Sequence, residues 1–163
     1  MKGEYTSRQK VRFSDCDPIG HLNNVKYLEY MMNAREDHIT DNYGFSYEDL
    51  IRETGNTWIA VQNQIAYIKE VRPNKIINIS SKIIKIADRT TVTEILMKDE
   101  KNQLTHAVLW VTAIFFDMKH RKSVVHPPEI VKMLEDQCVQ IPEDNFEERA
   151  LKIRKENKQW SAS

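Results

Sequence analysis

Between Asp15 and Asn24 the chain sets two carboxylates and an imidazole directly before a helix start: Asp15, Asp17 and His21, then Asn23-Asn24. A helix N-terminus carries unpaired N–H groups and a partial positive charge, so it stabilises an oxyanion. A carboxylate beside such donors can attack a carbonyl or activate water while the donors hold the tetrahedral intermediate. That is a kit for acyl transfer to water, and a thioester suits it because a thiolate leaves easily. The same residues also have an ordinary structural use, since Asx and Gly before a helix are turn and capping residues. Residue type and spacing alone leave the loop open between the two. Asp15 fits a structural role better, capping or pairing with a base such as Arg12. Cys16 has no second loop histidine to activate it as a nucleophile. His38, His106, His120 and His126 are scattered, with no pair at metal-ligand spacing, so no metal site is expected.

The elements around this loop follow from periodicity. Val11 and Phe13 alternate with Lys10 and Arg12, which predicts a first strand ending near Ser14. Val25, Leu28, Met32 and Ile39 share one helical face, while Tyr27, Tyr30, Met31 and Ala34 cover most of the rest. A helix apolar nearly all round is a buried one, and Asn23 or Asn24 caps it. A short amphipathic piece, Ser46 to Arg52, stops near Gly55. The period then becomes two: a strand from Trp58 through Tyr67, another from Ile77 to a turn at Asp88-Arg89, a third through Val92 and Leu96, and a last from Thr105 to Phe116. That last strand is apolar on both faces, which predicts a dimer to cover the second face. Pro127-Pro128 introduces a helix from Glu129 to about Cys138. Pro142 opens a charged tail, read as a solvated helix or a disordered end. The order is that of an α+β fold, with a sheet curled about one enclosed helix.

Composition excludes several classes. The 163 residues suit one domain, and 24 basic residues balance 24 acidic ones, so no net field draws the chain to nucleic acid or anionic membrane. Four glycines lie far apart, which removes the P-loop, the Rossmann fingerprint and the Gly-x-Ser-x-Gly elbow. The apolar run from Ala107 to Phe116 is too short to span a bilayer. Two cysteines and no signal peptide predict a cytoplasmic protein.

The stretch Arg12-Phe13-Ser14-Asp15-Cys16-Asp17-Pro18-Ile19-Gly20-His21-Leu22-Asn23-Asn24-Val25-Lys26-Tyr27-Leu28-Glu29-Tyr30, followed by Ala34-Arg35, resembles the signature of the 4-hydroxybenzoyl-CoA thioesterase-like branch of the hotdog-fold superfamily. The order from Trp58 through Phe115-Phe116-Asp117 to Pro127-Pro128 agrees, and the likeness spans about Arg8 to Glu135. The resemblance implies a single hotdog domain over residues 1–138, an antiparallel sheet wrapped around a long central helix, with a charged tail at 139–163. It implies a cofactor-free thioesterase hydrolysing acyl-CoA to acid and CoA, working as a dimer or tetramer with sites between subunits. On that likeness Asp17 is nucleophile or general base, the N–H near Asn24 marks the oxyanion position, and His21 orients water or the carbonyl. Gly20, Asn23, Tyr27 and Arg89 would contact substrate, Arg89 at the CoA phosphates. The His-x-Asn-Asn-Val-Lys-Tyr run is also similar to acyl-carrier-protein thioesterases, with Ile19 where their asparagine stands. A carrier-protein thioesterase and a non-catalytic acyl-CoA binder are therefore the alternatives.

Overall fold

The computed structural model describes residues 2–162. Its strands are β1 (Glu4–Lys10), β2 (Asn56–Tyr67), β3 (Ile76–Ile86), β4 (Thr90–Asp99), β5 (Thr105–Asp117) and β6 (Lys122–Ser123), and its helices α1 (Asn24–Asn42), α2 (Tyr47–Thr54), α3 (Pro128–Gln137) and α4 (Phe146–Ala162). The strands make one antiparallel sheet in the order β1-β3-β4-β5-β2, with β6 beside the end of β5. This is the α+β arrangement expected, a curled sheet holding a long helix. β2 pairs only with β5, so its other edge is open over twelve residues.

Local signals placed most boundaries. Asn23 caps α1, its side-chain oxygen accepting the Val25 N–H at 3.3 Å. Ser46 and Asp49 form a capping box on α2, and Gly55 ends it at φ +75°, a conformation that favours glycine. Between β4 and β5, one Asp99 carboxylate oxygen accepts the N–H groups of Gln103 and Leu104, each at 2.7 Å. That bond pair fixes the polar turn.

The first strand departs from expectation: it ends at Lys10, not near Ser14. Val11 is fully buried but tied to the β2–β3 connection, donating to the Lys75 carbonyl at 2.9 Å and accepting from the Asn74 N–H at 2.8 Å. Phe13 opens a 3-10 turn over Phe13–Asp15 and is 78% exposed, so its alternation with Val11 reflected no shared face. The central helix departs too. Its buried stripe is Tyr27, Met31, Ala34, Arg35, His38 and Ile39, while Val25 stands in solvent and Leu28 and Met32 are half-buried. Steps of three and four residues gather that stripe on one side of the helix. The opposite side, including Glu29, Asn33 and Glu36, is exposed. In β2 a bulge after Ala60 throws Val61 outward and breaks the expected alternation.

The sheet has two apolar faces, each with its own cover. Ala107, Leu109 and Val111 of β5 point into the core under α1, with Ile77, Ile79, Ile95 and Met97. Val108 and Trp110 point the other way, with Ile84 and Leu96, and meet Phe146, Ala150 and Ile153. The charged tail is therefore not a solvated end. As α4 it lies on the outer sheet face, the face that the two-sided pattern of β5 leaves for a second protomer to cover. Two polar clamps seat it: Arg149 grips the fully buried Glu94 with two bonds of 2.8 and 2.7 Å, and the Asn157 amide exchanges bonds of 2.9 and 2.8 Å with the Thr105 backbone.

Candidate active site

The loop before α1 is built around the backbone of Asp17. Its N–H donates to the His21 carbonyl at 2.8 Å, and its carbonyl accepts from Gly20 at 3.0 Å, closing a tight turn with Pro18 second and Gly20 at φ +83°. Asp17 Oδ1 accepts the N–H groups of Ile19 and His21, both at 3.1 Å. Oδ2 makes no hydrogen bond among the described residues. Leu22, buried under the loop, donates to the Val71 carbonyl at 2.8 Å and so fastens the turn to the β2–β3 connection.

The helix start shows a matching asymmetry. The Val25 N–H is taken by the Asn23 side chain and the Lys26 N–H by the Asn23 carbonyl at 2.8 Å. The Asn24 N–H has no acceptor among the described residues, while its carbonyl accepts the Tyr67 hydroxyl at 3.2 Å. A donor with the field of a nineteen-residue helix behind it is thus without an acceptor among the described residues.

Asp17, His21, Asn23, Asn24 and Tyr27 line one open cleft of about 570 Å³, together with Tyr67, Ile68, Lys69 and Glu70. The His21 ring has no hydrogen-bond partner among the described residues and lies near enough to Glu70 for their charges to interact. Tyr27 is the floor, 2% exposed and edge-on to Tyr67 at 5.1 Å, and burial pushes its phenol up to about 12. It is therefore neutral at working pH and a donor rather than a charge.

The remaining sequence candidates fall elsewhere. Asp15 accepts the Tyr30 hydroxyl and lies 3.7 Å from Lys26, so it braces the loop against α1 as a structural residue, with Lys26 rather than Arg12 as its base. Burial, with Asp17 and Asp15 nearby, raises the Cys16 thiol, which disfavours the nucleophilic thiolate. Gly20 shapes the turn and faces away from the cleft, beside Arg72 and Pro73. Arg89 sits at the β3–β4 turn, bound to the Ser123 carbonyl at 2.7 Å. Thr90 beside it pairs with Ile114, whereas Tyr67 at the cleft pairs with Ala107, so within one chain Arg89 lies at the far end of the sheet from Asp17. Tyr67, Lys69 and Glu70 were not singled out from sequence. The end of the β2 pattern marked where the strand stops, but nothing local says that it stops beside the Asp17 loop.

A curled antiparallel sheet, a long helix and a cleft at that helix's N-terminus define the hotdog class. The profile of the Thioesterase-like superfamily matches residues 11–134, and the protein belongs to that superfamily. Similar solved structures include the probable thioesterase YbaW of Escherichia coli, 21% identical with TM-score 0.73 over 82% of this chain and 98% of that one. A 1,4-dihydroxy-2-naphthoyl-CoA thioesterase of Synechocystis is 14% identical, with TM-score 0.72 over 82% and 96%. The hypothetical protein SAV2348 of Staphylococcus aureus, in complex with CoA, is 13% identical, with TM-score 0.76 over 90% of each chain. Likeness at these identities speaks to the fold. A search of curated proteins finds no significant match. No helix of the described residues is long and apolar enough to cross a membrane.

Proposed function

We propose that the protein hydrolyses acyl-CoA thioesters to the free carboxylic acid and CoA. The observation that carries this is the pairing, in one cleft, of a carboxylate with one oxygen anchored and one free and a helix N-terminal N–H without an acceptor. In this reading Asp17 Oδ2 takes a proton from water as it attacks the thioester carbonyl, or attacks directly and is then released by water. The Asn24 N–H holds the oxyanion, the C–S bond breaks, and the proton passes to the departing CoA thiolate. His21 orients the water or the carbonyl. Lys69 is the cation the cleft itself offers to the CoA phosphates. The CoA bound to the Staphylococcus aureus protein and the CoA thioester in the name of the Synechocystis enzyme support a CoA ester over other acyl donors.

We further propose a dimer joined along β2. That edge is open over twelve residues, with Ala60 to Asn63 exposed, and an open strand of this length is a template for pairing. Antiparallel pairing about a twofold would set the Trp58 end of one β2 beside the Tyr67 end of the other, carrying the partner's sheet end toward the Asp17 cleft. Sedimentation is expected to give twice the chain mass, and a monomer at all concentrations would overturn the pairing. The activity is tested by thiol release from short, medium, long-chain and aromatic acyl-CoAs beside the matching acyl-carrier-protein esters. Saturable release from a CoA ester is expected. Release from carrier-protein esters alone, or from none, would overturn the reading.

A further inference from the structure

A second cavity lies under the C-terminal half of α1, about 16 Å along the helix from Asn24 at 1.5 Å per residue. It has a volume of about 170 Å³, and its lining reaches Ala60 on β2, the edge proposed above to pair with a second protomer. Tyr43, Phe45, Tyr47 and Trp58 form its aromatic part, with the Phe45 and Trp58 rings stacked 6.5 Å apart, and aliphatic side chains with Thr91 and Thr93 complete the lining. Into this apolar lining the fold places Arg35, 7% exposed.

Arg35 has no carboxylate partner. None of the ion pairs among the described residues includes it. Its guanidinium donates to Ser81 Oγ at 3.2 Å and to the Tyr43 hydroxyl at 3.1 Å, and lies 5.2 Å from the Tyr43 ring centroid. Those two bonds use two of its five N–H donors. A buried charge is ordinarily matched by an opposite one, because desolvation without a partner is costly. Arg149, its side chain 12% exposed, obeys that rule with Glu94 and Glu143. The positive charge at Arg35 is answered only by hydroxyls and a ring face.

We infer that this cavity binds a small carboxylic acid, aromatic or short aliphatic, with its carboxylate on Arg35 and its apolar body among Tyr43, Phe45, Tyr47 and Trp58. The size agrees, since an apolar cavity of about 150 Å³ accepts a benzene ring. The charge agrees, because a planar guanidinium with free donors matches a carboxylate. This inference stands apart from the hydrolase reading: it concerns a different cavity and a free acid, and no bond is made or broken.

The test is binding of benzoate and hexanoate to the intact protein, followed by NMR shifts of the Trp58 indole, with benzyl alcohol and hexanol as uncharged counterparts. Saturable binding of the acids is expected, with the alcohols and an Arg35→Met variant weaker by about tenfold or more, the worth of a charge-assisted bond. Alcohols binding the native protein as tightly as acids, acids shifting residues outside the cavity, or no saturation by either acid would overturn it. The alcohol comparison uses the native chain, so it holds even if Arg35→Met fails to fold.

Discussion

Asp17 is held at one oxygen and free at the other, and this division permits a clean substitution. Asparagine keeps an oxygen for the Ile19 and His21 N–H groups while removing the charge. The Asn24 N–H can be removed as selectively. Asn24 is the first residue of α1, where proline is favoured, and Asn23 before it sits at φ −63° and ψ 136°, a conformation that proline accepts in its predecessor. Asn24→Pro is therefore expected to keep the helical circular dichroism and the thermal midpoint while lowering kcat by about 10²–10³, the usual cost of a lost oxyanion donor. Full turnover in that variant would remove the N–H from the mechanism. At this scale the loop was largely legible: the Asx, Pro and Gly residues name the turn, and Asn23-Asn24 names the cap. Which N–H the cap would leave free was not, because that depends on Asn23 spending its side chain on Val25 and its carbonyl on Lys26.

The elements show a different limit. α4 has a thin apolar stripe, and hydropathy alone reads it as solvated. What seats it is largely polar: Arg149 on Glu94, 55 residues away in sequence, and Asn157 on the Thr105 backbone. Trp110 completes the cage, its indole N–H donating to Glu94 at 2.9 Å. Long-range pairing of charges leaves no periodic signal, so the sequence showed that the outer face of β5 needed a cover but not which segment supplies it. Arg149→Met leaves Glu94 buried without its bidentate partner, and unfolding in urea is expected to report a loss of about 3–5 kcal/mol. The double variant Glu94→Leu with Arg149→Met, which removes both charges, is expected to regain much of that loss. Equal and additive costs for the two changes would show that the pair does not couple. The end of the first strand and the buried face of α1 escape the sequence for a related reason. Periodicity assigns faces, yet the partner of each face is set by tertiary packing, and Phe13 and Val25 have none.

For the whole molecule, three histidines are folded in their neutral form. His38 lies between the Ser81 and Ser7 hydroxyls at 2.7 and 3.1 Å, His106 faces the Lys69 carbonyl at 3.1 Å, and His126 accepts the Trp58 indole N–H at 3.1 Å while its other nitrogen faces the Ala87 carbonyl at 3.0 Å. Burial lowers all three from the usual histidine value, and the Arg35 charge adds to the effect at His38. Unfolded, each ring binds its proton near pH 6.5, above its folded value, so below that pH the unfolded state holds more protons. Their contribution is complete above about pH 6.5 and is lost as pH falls toward the lower folded values. The urea midpoint is expected to drop between pH 7.5 and 5.5, before the carboxylates titrate. An unchanged midpoint would mean that the rings are not neutral in the fold. No sequence pattern marked these histidines as buried, since their partners are backbone carbonyls, hydroxyls and an indole drawn from distant strands and connections.

The central claim is that Asp17, in the cleft at the start of α1, drives thioester hydrolysis. It is tested most directly by comparing native protein with Asp17→Asn for thiol release from the best acyl-CoA substrate, while measuring binding of the same ester to both. Turnover is expected to fall by at least about 10³-fold with ester binding and thermal midpoint nearly unchanged, as for loss of a group acting only in the transition state. Native turnover in the variant would contradict it.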